Sequence, residues 1–193
     1  AKRSSDLFLG EERPDDIEDG VLAKMRDELG VVSLIGMPGS GKTRTGMLLA
    51  DMLGFEFVDT DELVERAAGM PIPQIFEQRG ETGFRAIETA CTAEATSKPG
   101  RVVATGGGVV TRPDNEFYLR QNGPVVLLTR GLIPDASDEL CCDGRPLSQA
   151  KGVAQLREER APLYHAWADI EVAPSDGSPM STARRIYRLV RRV

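Results

Sequence analysis

The sequence has few of the residues that mark disulfide-bonded, metal-rich or membrane-spanning proteins. Its cysteines are Cys91, Cys141 and Cys142, an odd number whose spacing fits neither a disulfide framework nor a metal site. No apolar run is long enough to span a membrane. The formal net charge of −6 argues against non-specific binding to nucleic acid. We therefore expect a protein of the reducing cytoplasm that binds neither nucleic acid nor membrane, and a local positive cluster wherever an anionic substrate binds.

The 193 residues suffice for one domain with a substantial core and are too few for two ordinary domains. Acidic residues crowd around Pro14, and we interpret residues 1–30 as an N-terminal arm or interdomain linker. Residues 31–193 form the predicted domain. Its predicted strands are 31–35, 55–58, 101–104, 124–128 and 170–172. Its predicted helices are 42–53, 60–69, 72–79, 81–96, 152–167 (broken or kinked at Pro162) and 181–192. This alternation predicts an α/β fold with a parallel sheet covered on both faces, and ligands at the carboxyl ends of its strands.

A phosphate-binding pattern follows the first predicted strand. Residues 36–43, Gly-Met-Pro-Gly-Ser-Gly-Lys-Thr, match G-x-x-x-x-G-K-[ST] in full, between an apolar strand and an amphipathic helix. The glycines let backbone N–H groups turn toward phosphate oxygens, Lys42 reaches the β- and γ-phosphates, and the Thr43 hydroxyl can ligate Mg²⁺. The alternative is a glycine-rich loop that binds no ligand, and the strand before it and the helix after it argue against that alternative. The candidate ATP-binding residues here are Gly39, Ser40, Gly41, Lys42, Thr43 and Arg44.

Acidic residues that follow this phosphate-binding loop (residues 36–43, the P-loop) favour a small-molecule kinase over a GTPase or a motor ATPase. The guanine-reading tetrapeptide N-K-x-D does not occur, and the predicted strands 101–104 and 124–128 end without a Walker B acid. Instead, Asp59 and Asp61 follow the second predicted strand. One carboxylate can support the Mg²⁺ shell while the other, two residues on, faces a second substrate.

Five further motifs follow the P-loop in order, and together they resemble the shikimate kinase family over roughly residues 31–190. The resemblance implies a P-loop NTPase fold of the nucleoside monophosphate kinase type. That fold has three layers, a five-stranded parallel sheet in the order 2-3-1-4-5 and a mobile lid, here about residues 131–150. The motifs are Phe57-Val58-Asp59-Thr60-Asp61, Gly80-Glu81-x-x-Phe84-Arg85-x-x-Glu88, Thr105-Gly106-Gly107-Gly108-Val109-Val110, Arg145-Pro146-Leu147 and Arg160-Ala161-Pro162-Leu163-Tyr164.

The resemblance also implies a reaction, the transfer of a phosphoryl group from ATP to the 3-hydroxyl of shikimate, by a monomer with one Mg²⁺ per ATP. Arginine suits this substrate because its planar fork matches a carboxylate, and successive glycines let a ring approach the backbone. The implied catalytic residues are Lys42, Asp61 (base) and Arg145, which also binds ATP from the lid. The implied substrate-binding residues are Asp61, Arg85, Gly106, Gly107, Gly108 and Arg160, and the implied metal-supporting residues are Thr43 and Asp59.

Other interpretations remain open at this stage. Arg85 has possible ion-pair partners at helical spacing in Glu81 and Glu88, and Asp61 can cap the helix that follows it. His165 is expected at the surface. A gluconate kinase would share the P-loop and sheet but has no need of two arginines beside three glycines. A domain that binds the ligands without turnover is the alternative from another functional class.

Two stretches depart from the family pattern. Arginines that flank the nucleotide base in relatives have no counterpart in 134–144, and 173–179 contains no basic residue. We therefore expect ordinary phosphate binding with weaker selection of the base. Separately, residues 5–10, Ser-Asp-Leu-Phe-Leu-Gly, resemble the closing segment of shikimate dehydrogenases. This resemblance suggests the kinase end of a polypeptide fused to that enzyme, with 11–30 as the linker.

Overall fold

The computed structural model describes residues 30–130, 132, 152–173 and 178–191. Within these ranges the chain alternates between strands and helices. The strands are β1 (Val31–Ile35), β2 (Glu56–Asp59), β3 (Arg101–Ala104), β4 (Val125–Leu128) and β5 (Ile170–Val172). The helices are α1 (Lys42–Leu53), α2 (Thr60–Ala68), α3 (Ile72–Thr96), α4 (Asp114–Arg120), α5 (Val153–Trp167) and α6 (Pro179–Val190), with a 3-10 turn at Val109–Thr111. The predicted arm, Cys141, Cys142 and all of the predicted lid except Leu132 lie outside the described residues.

The strands form one parallel sheet in the order β2-β3-β1-β4-β5, which confirms the predicted topology. β1 is central and fully buried, as its uninterrupted apolar sequence requires. The register places Leu34 beside Ala104, so that β1 and β3 end close together at the carboxyl edge. Functional segments that follow β1, β2 and β3 therefore meet at that edge.

Successive residues of β1 point to opposite faces of the sheet and join different cores. Leu34 packs in a core formed with α1 and α6, where Leu49 and Ile186 are fully buried. Ile35 packs in the second core with Tyr164 of α5 and Leu119 of α4. The sheet is therefore covered on both faces, and each cover holds a different part of the carboxyl edge in place.

The helices differ from the predictions chiefly in two places. The predicted helices 72–79 and 81–96 are both present and join as α3 at a kink at Gly80, whose φ of 66° suits glycine and is strained for other residues. α5 continues through Pro162 to Trp167, so the predicted break is wrong. Pro162 is exposed, as is Glu158 four residues earlier, and water can therefore satisfy the carbonyl that loses its helical bond. The pattern also did not predict α4.

No helix in the described part of the chain has both the length and the apolar content needed to cross a bilayer.

Candidate active site

The P-loop connects β1 to α1, and its lysine is held by the loop itself. Lys42 is 6% exposed, and its ammonium group donates to the carbonyl oxygens of Gly36 at 2.9 Å and Met37 at 2.8 Å. A buried cation needs such partners, and phosphate oxygens carrying full charge are stronger ones. Gly41 caps α1 with a φ of 92°, a left-handed conformation that glycine adopts without strain. The loop thus presents a pre-placed cation at the start of a helix.

The two residues proposed to support a metal ion lie side by side. The Thr43 hydroxyl donates to Oδ2 of Asp59 at 2.9 Å. The other carboxylate oxygen of Asp59 accepts the backbone N–H of Asp61 at 2.9 Å, which makes Asp59 the N-cap of α2. The alternative in which Asp61 is merely that cap is therefore wrong. A hydroxyl beside a carboxylate fits Mg²⁺, which prefers oxygen ligands and takes few of them from protein. The described residues contain no group of three or more His, Cys, Asp or Glu side chains arranged to hold a metal.

Arg85 and Arg160 provide the positive cluster that an acidic protein needs for an anionic substrate. Each is 5% exposed. Arg85 donates to Oε2 of Glu88 at 2.6 Å and to Glu81 at 3.3 Å, so both ion pairs considered from the sequence are present. Arg160 donates to the carbonyl of Gly107 at 2.9 Å. Each guanidinium keeps a buried Nε without a hydrogen-bond partner among the described residues.

Glu88 brings an acceptor to the same site. It is 1% exposed, and its Oε1 has no hydrogen-bond partner in the described ranges. Burial raises the pKa of this carboxyl, and the negative charge of Asp61 adds to that effect. The guanidinium groups of Arg85 and Arg160 lower the pKa without cancelling the rise. The site therefore combines guanidinium nitrogens and a carboxyl oxygen that have no hydrogen-bond partner among the described residues.

Gly106, Gly107 and Gly108, which we call the glycine turn, lie where the functional segments converge. A Cβ atom at Gly106 would lie 2.7 Å from an oxygen of Asp61 and 2.8 Å from Oε1 of Glu88. A Cβ at Gly107 would lie 2.6 Å from the ring of Pro38 in the P-loop. A Cβ at Gly108 would lie 2.5 Å from Cζ of Arg85. Without side chains, the glycines let an acid, the phosphate loop and an arginine approach one short backbone segment.

A small pocket opens at the P-loop residues Ser40 and Gly41, away from the glycine turn, and Arg130 lines it. The pocket also includes Leu128 at the end of β4 and Pro179 at the start of α6. Arg130 is exposed and lies two residues after the end of β4. Its position at the carboxyl edge was the available signal for this cation, which lies outside the stretches 134–144 and 173–179 where a base-flanking cation was expected.

Comparison with known proteins identifies the family. The sequence profile described as "SKI: Shikimate kinase" matches residues 38–191. The chain is 43% identical over 164 residues to a shikimate kinase of Synechococcus sp. (strain CC9605), an alignment that covers 81% of the chain and 80% of the relative. It is 39% identical over 172 residues to the shikimate kinase of Acinetobacter baylyi, covering 87% and 96%. The chain belongs to the shikimate kinase family.

A solved structure places the fold in the same family. The Acinetobacter baumannii shikimate kinase, determined in complex with shikimate, superposes with a TM-score of 0.78 at 36% identity and covers 88% of this chain and 97% of that one. The predicted P-loop kinase fold is therefore confirmed.

The structure brings together nearly all the residues predicted for a shikimate kinase site. The P-loop residues Gly39, Ser40, Gly41, Lys42 and Thr43 form one side. Asp61, Arg85, Gly106, Gly107, Gly108 and Arg160 form the other, and Asp59 lies beside Thr43 of the P-loop. Arg44 is exposed on the first turn of α1. Arg145 lies outside the described residues.

Two neighbouring residues of α5 lie outside that set. His165 is exposed and contacts Glu171 at 2.8 Å, as expected of a surface histidine. Tyr164 is fully buried, and its hydroxyl donates to the carbonyl of Gly107.

Proposed function

We propose that this chain transfers the γ-phosphoryl group of ATP to the 3-hydroxyl of shikimate, giving shikimate 3-phosphate and ADP. The observation that carries the proposal is the pair of guanidinium groups of Arg85 and Arg160, held beside the glycine turn together with the carboxyl group of Glu88. Two guanidinium donors suit a carboxylate, and a carboxylate oxygen suits a hydroxyl. Shikimate offers a carboxylate and ring hydroxyls. The shikimate bound to the A. baumannii relative supports the same choice.

On the donor side, Lys42 exchanges its loop carbonyls for phosphate oxygens when ATP binds. Thr43 and Asp59 would hold the one Mg²⁺ that accompanies each ATP, which would supply neutralisation of phosphate charge. Arg145, by its place in the family motif, adds a second cation over the transferring group. Because phosphoryl transfer proceeds through a loose transition state, these charges and the alignment of the reactants supply most of the catalysis.

On the acceptor side, Arg85 and Arg160 hold the carboxylate of shikimate while Asp61 orients the reacting hydroxyl and accepts its proton. Both arginines are buried, so their interaction with a carboxylate is little screened by solvent. Glu88 keeps Arg85 in place through the 2.6 Å ion pair. Gly108 leaves room for the guanidinium group of Arg85, and Gly106 leaves room for Asp61.

The nucleoside is proposed to lie over the small pocket at Ser40 and Gly41, which is itself too small to enclose it. The transferring phosphate must lie between donor and acceptor, so the rest of ATP extends away from the glycine turn. Arg130 is then the cation available to contact the base or ribose, in place of the arginines that relatives carry elsewhere. We accordingly propose that selection of the base depends on Arg130.

The test is release of ADP, measured by a coupled assay with Mg-ATP and either shikimate, gluconate or no acceptor. Release that requires shikimate is expected, and equal or greater release with gluconate would reject the acceptor. Folded protein that binds ATP yet releases no ADP with shikimate would support the binding-domain alternative.

Three further properties are proposed from the family and the sequence. We expect a monomer located in the cytoplasm, testable by size-exclusion chromatography with light scattering and by fractionation. We also retain the fusion to a shikimate dehydrogenase as a proposal, because residues 5–10 resemble the end of that enzyme. The reading frame upstream of Ala1 tests it directly.

A further inference from the structure

Two hydroxyl side chains from different helices hold the glycine turn. The Tyr164 hydroxyl on α5 donates to the carbonyl of Gly107. The Thr60 hydroxyl at the start of α2 accepts the N–H of Gly106 at 3.1 Å. Tyr164 and Thr60 are both 0% exposed, so neither bond competes with solvent. Neither hydroxyl is needed to form its helix, and both are directed at one short segment.

The Tyr164 bond connects the turn to the carboxylate-binding arginine. Arg160 lies one helical turn before Tyr164 and donates to the same Gly107 carbonyl at 2.9 Å. On its other side, Gly107 abuts Pro38, which a Cβ would meet at 2.6 Å. Gly107 thus lies between the helix that carries Arg160 and the loop that holds phosphate. The position of the Gly107 carbonyl sets both the orientation of Arg160 and the distance of Arg160 from the P-loop, where the phosphoryl donor binds.

The Thr60 bond connects the turn to the acids. Thr60 stands between Asp59 and Asp61 in the chain, and its hydroxyl fixes the Gly106 amide beside them. Asp61 and Glu88 both approach the space that Gly106 leaves open. A shift of this amide would therefore change where Asp61 stands relative to the turn.

We propose that Tyr164 and Thr60 are positioning residues for the phosphoryl transfer. Their hydroxyls fix the glycine turn so that Arg160 and Asp61 face the same acceptor molecule, at a fixed distance from the P-loop. The inference rests on the proposed function. Tyr164 acts through Arg160 and therefore on shikimate binding. Thr60 acts through Asp61 and therefore on turnover. Neither side chain is assigned a contact with substrate.

The first test is Tyr164→Phe. The Gly107 carbonyl keeps its bond from Arg160, so the substitution does not leave that buried acceptor without a partner and should preserve the fold. Loss of one net hydrogen bond predicts a rise of about fivefold in the KM for shikimate, with the KM for ATP unchanged. Trp167, the single tryptophan, lies one turn beyond Tyr164 and provides a fluorescence titration of shikimate binding. Tyr187→Phe is the matched control, because among the described residues its hydroxyl accepts from Arg191 just after α6 and makes no hydrogen bond to the glycine turn.

A double-mutant cycle separates positioning from general packing. If Tyr164 acts through Arg160, then Tyr164→Phe has little additional effect on shikimate KM in an Arg160→Lys background. The same fivefold effect in both backgrounds would overturn the inference. A lowered Tm with an unchanged KM for shikimate would overturn it as well.

The second test uses a matched pair at Thr60. Thr60→Val keeps the shape and removes the hydroxyl, and should lower kcat about fivefold. Thr60→Ser keeps the hydroxyl and should restore most of the loss. Equal kcat values for the two variants would overturn the role of Thr60, and this pair tests the turn even if Tyr164→Phe does not fold. Failure of the proposed function looks different, because the unmodified chain would then release no ADP with shikimate.

Discussion

The glycine turn makes a sharp prediction for a single added methyl group, in Gly108→Ala. The backbone at Gly108 has φ −103° and ψ 1°, which alanine can adopt, so only the surroundings decide the outcome. The methyl carbon would lie 2.5 Å from Cζ of Arg85, far inside van der Waals contact. The Gly108 carbonyl is fixed by the N–H and hydroxyl of Thr111 at 3.0 and 2.7 Å. The guanidinium group of Arg85 must therefore move.

The size of the effect follows from what Arg85 loses. Its displacement disturbs the buried pair with Glu88 and withdraws a charged donor from the substrate carboxylate. A hydrogen bond to a charged group contributes about 1.5–3 kcal/mol, which corresponds to a rise of about 10- to 150-fold in shikimate KM. The KM for ATP should stay within about twofold, because the three atoms nearest to the added methyl carbon all belong to Arg85 of the acceptor site. Initial rates of ADP release against each substrate in turn measure both constants.

Gly46→Ala is the control for loss of stability alone. Its Cβ would lie 2.6 Å from the ring of Phe57 in the core beside α1, so it should lower Tm without a selective change in shikimate KM. An unchanged shikimate KM in Gly108→Ala would refute the reasoning. So would an equal rise in both KM values, because the damage would then not be confined to the acceptor site.

Three further outcomes are expected. Asp61→Asn should lower kcat at least 100-fold or so in the coupled assay while ADP binding by calorimetry is retained, and kcat within tenfold of the unmodified chain would exclude Asp61 as the base. Arg130→Ala should raise the KM for ATP about two- to fivefold and narrow the preference for ATP over GTP, whereas exposed Arg188→Ala should do neither; equal effects of both would remove Arg130 from the base site. Glu88→Gln should alter the pH dependence of stability. Because the folded-state pKa of Glu88 is raised, its stabilising contribution is fully present below the unfolded pKa and is lost as pH rises through the folded pKa. The Tm of the unmodified chain should therefore fall relative to the variant as pH increases toward neutrality, and parallel Tm curves would contradict this.

The features predicted well from the sequence depend on local spacing. The P-loop is readable because its glycines, Lys42 and Thr43 are adjacent in the chain and flanked by a strand and a helix. The strand order came from the family resemblance, and the parallel sheet came from the alternation of elements. Where the signal was short, as for α4 with its seven residues, the helix was missed.

The features missed depend on contacts between distant segments. Tyr164 reads as core from its sequence, and nothing local shows that its hydroxyl meets Gly107, 57 positions earlier. The glycine turn was predicted to admit a substrate ring, whereas the structure shows that it also admits the protein's own Asp61, Pro38 and Arg85. The role of Asp59 as a helix cap depends on an N–H direction that only folding defines.

The self-contained P-loop has a consequence for which ligands can enter it. Lys42 already has neutral oxygen partners within its own loop, so binding is an exchange rather than the filling of an empty position. A ligand displaces these contacts only if it offers the ammonium group more negative charge than its present partners do. Adenosine offers none, whereas ATP offers a chain of charged phosphate oxygens. At Lys42 the ligand-free loop therefore favours phosphorylated nucleotides over unphosphorylated nucleosides, independently of any contact to the base.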